Sequence, residues 1–160
     1  MIQGIENLPT KKLMGQSMKM SLINNKTVDL WKSFMPIRKE IDGAIDSVFY
    51  SIQVYEESLK FEDFTPHSVF TKWAAVEVTD FQEHPEFECF VLKGGLYAVF
   101  IHKGMAKDFP NTLQFIFEQW LPKSKYKLDQ RPHFEIIKGK YDRNDPNAEE
   151  EVWIPIKIGE

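Results

Sequence analysis

Glu151-Val152-Trp153-Ile154-Pro155-Ile156-Lys157-Ile158, near the C-terminus, and Thr71-Lys72-Trp73-Ala74-Ala75-Val76-Glu77-Val78, midway along the chain, share one pattern, and that likeness decides the fold. In each, small or aliphatic residues alternate with polar ones around a tryptophan, the period of a strand with one apolar face. Working backward, Val48-Phe49-Tyr50-Ser51-Ile52 and His133-Phe134-Glu135-Ile136-Ile137 form a second matched pair of strands. Before these come two stretches with helical spacing. Residues 27 to 41 place Val28, Trp31, Phe34, Met35 and Ile41 near one face, with Thr27 or Asn25 as N-cap. Residues 111 to 121 place Leu113, Phe117, Trp120 and Leu121 on one stripe. Each stretch carries an aromatic, an apolar residue and a proline in sequence, Phe34-Met35-Pro36 and Trp120-Leu121-Pro122. A proline inside a helix removes a hydrogen bond, so the first helix is predicted to end, kink or restart at Pro36. Ahead of the helices, Lys12-Leu13-Met14-Gly15 matches Gly95-Leu96-Tyr97-Ala98.

The prediction is therefore an α+β fold: tandem pseudo-symmetric βαββ repeats, about 8–80 and about 86–158, within a single domain spanning 1–160. The polar stretch Asp80-Phe81-Gln82-Glu83-His84-Pro85-Glu86 reads as the linker. Each repeat needs its helix to cover one face of its own sheet, which leaves a ligand groove at their junction. The acidic stretches 56–66 and 142–151 read as solvated loops.

The 160 residues are enough for one core and too few for two ordinary domains. A net charge of −4 with scattered lysines excludes a sequence-independent grip on nucleic acid, so no direct DNA binding is expected. No apolar run reaches the length of a membrane span and the N-terminus has no leader pattern, so no membrane association is expected. The lone Cys89 precludes an internal disulfide framework; together these features suggest a cytoplasmic protein. His84, His102 and Cys89 lack ligand spacing, and no nucleophile elbow or phosphate loop is present; no metal, cofactor or catalytic set is assigned.

Candidate site residues follow from the faces of the strands. In the last strand Val152, Ile154, Ile156 and Ile158 point toward the helices, whereas Trp153 points away. Trp73 is placed likewise, opposite Ala74, Val76 and Val78. Two readings of these indoles stand side by side: they line the groove, or they pack against the other half. Glu135 lies mid-strand among apolar neighbours, where a carboxylate is costly without a partner. It can be neutralised by a raised pKa, an internal base or an incoming cation, and surrounding rings add cation–π attraction. An edge position wetted by solvent is the plainer alternative. His133 and Glu135, two apart on one strand face, are a weak acid–base signal.

The runs Leu92-Lys93-Gly94-Gly95-Leu96-Tyr97-Ala98-Val99-Phe100-Ile101-His102-Lys103-Gly104, Trp120-Leu121-Pro122, Phe134-Glu135 and Val152-Trp153-Ile154-Pro155-Ile156 resemble the GyrI-like small-molecule-binding family. That family also supplies the effector-binding domain of AraC-type and MerR-type transcription regulators. The resemblance implies two βαββ repeats enclosing a cleft for lipophilic cations, lined by an acidic residue and aromatics. It places the cleft glutamate at Glu135, a tyrosine at Tyr97 and an aromatic at Trp153; repeat symmetry adds Tyr50 and Trp73, and Trp120 of the Trp-Leu-Pro run joins the lining. The expected partner is a lipophilic or cationic small molecule, with a separate protein partner as a further possibility, since the repeats leave no room for a helix-turn-helix. The alternative is a small hydrolase pairing Glu135 with Tyr97 or Tyr50, or an inhibitor acting on another protein.

Overall fold

The computed structural model describes residues 2–138 and 142–159. The elements run β1 (Ile2–Leu8), β2 (Lys11–Met20), α1 (Thr27–Phe34), β3 (Val48–Tyr55), β4 (Phe70–Glu77), β5 (Glu88–Leu92), β6 (Gly95–Lys103), α2 (Phe109–Phe115), β7 (Tyr126–Leu128), β8 (His133–Lys138) and β9 (Glu149–Ile158). The matched strands and helices read from the sequence are all present. The fold is α+β, an antiparallel sheet in the order β1-β6-β9-β8-β3-β4-β2-β5, with β7 beside β9. Exchanging the two halves reverses this order onto itself, which is the pseudo-twofold relation that the repeats predict.

Each half has an extra leading strand ahead of the expected unit, and the second half also has the short β7. β1 and β5 precede β2 and β6, and each pairs across the molecule: β1 with β6, β5 with β2. Leu8 sits opposite Gly95 and Lys11 opposite Leu92, so the two arms cross in one antiparallel register from Gly4 to Gly15, with a shift only at Ile2. The crossing is tight. A Cβ on Gly94 would lie 2.2 Å from the Leu8 carbonyl oxygen, and the Gly94 amide donates to Thr10 Oγ1 at 3.0 Å. The arms join the two ends of the sheet, which closes on itself.

Closure gives the sheet an inner and an outer face. The inner face packs without any helix: Leu8, Leu13, Tyr50, Ile52, Trp73, Ala75, Leu92, Tyr97, Phe134 and Ile136 form one buried cluster drawn from seven strands, with Trp153 of β9 against it. The outer face carries the helices. α1 lays Leu30 and Phe34 on Met14, Ala74 and Val76, and the second helical segment lays Ile116 on Ala98, Phe100, Val152 and Ile154. Val152, Ile154 and Ile156 face the helices as predicted, whereas Ile158 is exposed.

Pro36 ends α1 as expected, the chain continuing through turns to a short 3-10 turn at Arg38–Glu40. Pro122 acts differently. It lies inside the last helical turn, Leu121–Lys123, and the turn before it, Ile116–Trp120, is a π-helix. Pro122 has no N–H to give and its ring presses on the carbonyl four residues back, and widening to π spacing relieves that pressure.

Candidate functional site

β8 and β3 lie side by side at the joint of the two halves, and their outer faces form the floor between the helices. Successive residues in a strand point to opposite faces. Since Phe134 and Ile136 belong to the inner cluster, Glu135 points outward, opposite Ser51 of β3 and Val152 of β9. It is nonetheless buried, with 6% of its surface exposed.

Glu135 receives two partners from the first half, both on Oε1. Gln53 Nε2 donates at 2.9 Å, and Lys72 Nζ stands at 3.7 Å. Lys72 comes from β4 and reaches across β3, its side chain only 11% exposed. Burial pushes the Glu135 carboxyl above its ordinary range, while the Lys72 ammonium and the Gln53 amide pull it back. A carboxylate in this position needs the ion pair and the hydrogen bond together, because the attraction of a buried pair must first offset the loss of water from both charges.

One step along the floor from Glu135, at His133, an aromatic cluster begins. His133 is stacked on Phe61, with centroids 5.6 Å apart, and on Phe117, 6.2 Å apart, and meets Tyr55 edge-on at 5.0 Å. Tyr55 also contacts Phe61, Phe64 and Phe70. Burial alone lowers the His133 pKa to about 3, so its ring is neutral. Tyr55 is raised by burial and, secondarily, by the Glu135 charge, which makes it a donor rather than an anion.

Phe61 sits on a 3-10 turn, Phe61–Asp63, in the stretch read as an acidic solvated loop. Its ring spans the gap between the halves, 5.8 Å from Tyr55 and 4.9 Å from Phe117. That loop is therefore a cover as well as a connection. At the other end of the floor Trp31 of α1 meets Phe49 of β3 edge-on at 6.1 Å.

The sheet separates Glu135 from most of the aromatics expected around it. Tyr97, Tyr50 and Trp73 lie on the inner face, and Trp153 packs there too, stacked on Phe134 at 5.3 Å. The expected grouping of these four with Glu135 is corrected on this point: both indoles pack in the inner cluster, Trp73 against Phe90 of the other half and Trp153 against Tyr97 and Phe134 of its own. Tyr97 is fully buried and donates to the Pro132 carbonyl at 2.9 Å, with the Arg131 guanidinium over its ring; burial pushes its pKa up to about 12 against the pull of Arg131. Trp120 packs edge-on against Phe100 and lines a separate open depression of about 250 Å³ with Phe115, Gln119, Lys123 and Ser124. A second depression, of about 570 Å³, lies beside β7. Neither depression includes Glu135.

The repeat register differs from the sequence alignment in the same region. Superimposing the turn from Leu8 to Lys11 on that from Leu92 to Gly95 carries Ser51, not Tyr50, onto Glu135, and Tyr50 onto Phe134. Lys72, Gln53, Tyr55 and Phe61 were not singled out from the sequence. Lys72 carried a signal: it shares strand parity with Ala74 and Val76, so a charge stood on a face otherwise read as core, as at Glu135.

Three comparisons bear on this arrangement. The family description GyrI-like small molecule binding domain matches residues 4–157. Among solved structures, the EcmrR C-terminal domain has a TM-score of 0.74 at 11% identity, covering 99% of both chains. SAV2435 bound to tetraphenylphosphonium has a TM-score of 0.70 at 14% identity, covering 98% of this chain and 94% of that one. A hydrolase from Listeria innocua has a TM-score of 0.60 at 10% identity, covering 96% and 90%. At these identities the structures show the fold alone. A comparison with curated proteins finds no match. No helix among the described residues is long and apolar enough to cross a membrane.

Proposed function

The chain belongs to the GyrI-like small molecule binding domain family, and on that premise we propose that it holds bulky apolar molecules, lipophilic cations among them, in the groove between its two helices. The observation that carries this reading is the buried Glu135 at the joint of the halves, with the rings of His133, Tyr55, Phe61 and Phe117 beginning one step along the floor. Apolar walls with a few convergent polar groups are the usual make-up of a small-molecule site. A carboxylate beside aromatic faces adds attraction for a cation.

Phe61 has to leave its place over the floor for a large ligand to enter, so the groove is closed at rest and opens on binding. The fold shared with SAV2435 bound to tetraphenylphosphonium, and with the EcmrR C-terminal domain, supports a role as a ligand sensor or sequestering protein. In a sensor, occupancy would be passed to a separate protein partner. The hydrolytic alternative loses the partners assigned to it, since Tyr97 and Tyr50 stand across the sheet from Glu135.

Titration with a fluorescent lipophilic cation tests the proposal. Wild type is expected to saturate, and Glu135→Gln to bind about 1–3 kcal/mol more weakly, the scale of a lost charged partner in a desolvated site. Equal affinity for the two proteins would remove Glu135 from the site.

A further inference from the structure

We propose that Lys72 sets the charge of the ligand: it is a resident counter-ion that a lipophilic cation must displace from Glu135 and that a neutral ligand leaves in place. The inference rests on reading the Glu135 groove as the binding site. Its basis is geometric. Lys72 Nζ and Gln53 Nε2 converge on the same carboxylate oxygen, Glu135 Oε1, at 3.7 and 2.9 Å, and all three residues are buried. The carboxylate that would attract an incoming cation is thus already neutralised by a cation of the chain itself.

The groups beside the pair do not supply a second negative charge. His133 is neutral, Tyr55 keeps its phenolic proton, and Ser51 and Gln53 are uncharged. A monovalent cation entering with Lys72 in place would set two positive charges against one carboxylate where water is excluded, an arrangement strongly disfavoured at low dielectric. Lysine can avoid it, because its flexible four-carbon stem can swing the ammonium to solvent while the methylenes stay packed. Cation binding is then an exchange of one ammonium for another positive centre, and its affinity is lowered by the Lys72–Glu135 interaction that it breaks. Neutral aromatic ligands face no such exchange.

The distinction is testable with two probes of similar bulk, tetraphenylphosphonium as the cation and triphenylphosphine oxide as the neutral compound, titrated by calorimetry at pH 8. Lys72→Met is expected to bind tetraphenylphosphonium at least about tenfold more tightly than wild type, with triphenylphosphine oxide affinity changed less than about twofold. Adding Glu135→Gln to Lys72→Met should abolish the gain. A second measurement needs no variant: in wild type, saturating tetraphenylphosphonium should speed acetylation of Lys72 by an N-hydroxysuccinimide ester, read by peptide mass analysis, whereas triphenylphosphine oxide should not.

Unchanged or weaker cation binding by Lys72→Met, with the neutral probe still bound, overturns the role of Lys72 and leaves the groove standing. Failure of both probes on every variant overturns the groove as well. If Lys72→Met does not fold, the wild-type labelling decides: a Lys72 amine that stays protected in the tetraphenylphosphonium complex sinks the proposal.

Discussion

His133 pays for its place in the groove whenever it is protonated. Its ordinary pKa of 6.5 falls to about 3 in the folded chain, because burial between Phe61 and Phe117 penalises the charged ring. A group with a depressed folded pKa gives stability that is complete above the unfolded value and is lost as pH falls toward the folded one. Stability is therefore expected to drop between pH 6.5 and 4, by at most about 1.4 kcal/mol per pH unit from this residue. Glu135 has the opposite sign: its pKa is raised, so its protonation as pH falls favours the fold. Urea unfolding at pH 7, 5.5 and 4.5 should show a steep loss for wild type and a flat or reversed slope for His133→Phe. Equal slopes would mean that His133 is not the group responsible. At this scale much was legible in the sequence. Glu135 stood out as a carboxylate among apolar neighbours, and strand parity sorted Trp73 and Trp153 correctly onto the face away from the helices. The destination of that face was not legible, since alternation says which residues share a side and nothing about whether the side is closed. Lys72 was legible in principle, for two opposite charges on core-facing positions of neighbouring repeats are best satisfied by each other.

At the scale of elements, the six repeat strands and both helices followed from period and proline position, while β1, β5 and β7 did not. β5, Glu-Cys-Phe-Val-Leu, has too short an alternation to be told from a linker flank. β1 contains Gly4, whose register shift against β6 breaks the pattern. What makes the two arms strands is each other, a pairing across about eighty residues that no local signal encodes. Gly94 is the test of that pairing. A methyl group there would strike backbone atoms, the Leu8 oxygen at 2.2 Å and the Thr10 nitrogen at 2.7 Å, so neither arm can yield by turning a side chain. Gly94→Ala is expected to cost about 1–3 kcal/mol, the range for overpacking a tight contact, measured as a lower urea midpoint with an unchanged slope. An unaffected midpoint would show that the crossing is loose.

For the molecule as a whole, the sequence conveyed the duplication and the position of the joint, but not the exchange of leading strands. That exchange makes the stability of each half depend on the other. Removing residues 2–8 strips β6 of a partner while leaving β2 paired with β4 and β5. Hydrogen exchange should then show protection lost first from the β6 amides that face β1, with the β2–β4 ladder retained. Uniform loss across both ladders would mean that the arms contribute nothing local. The ion pair between Lys72 and Glu135 and the ring of Phe61 also bridge the halves, so the surroundings of Glu135 are built from both.

The crossed arms also bear on ancestry. A single half made as a free polypeptide would find the complement of its borrowed strand only in a second copy, and two such copies would satisfy each other about a twofold axis. The present chain carries both complementary halves in one polypeptide, the arrangement that a fusion of such a pair would have. Two halves joined in this way need not be alike, and here one carries the base and the other the acid.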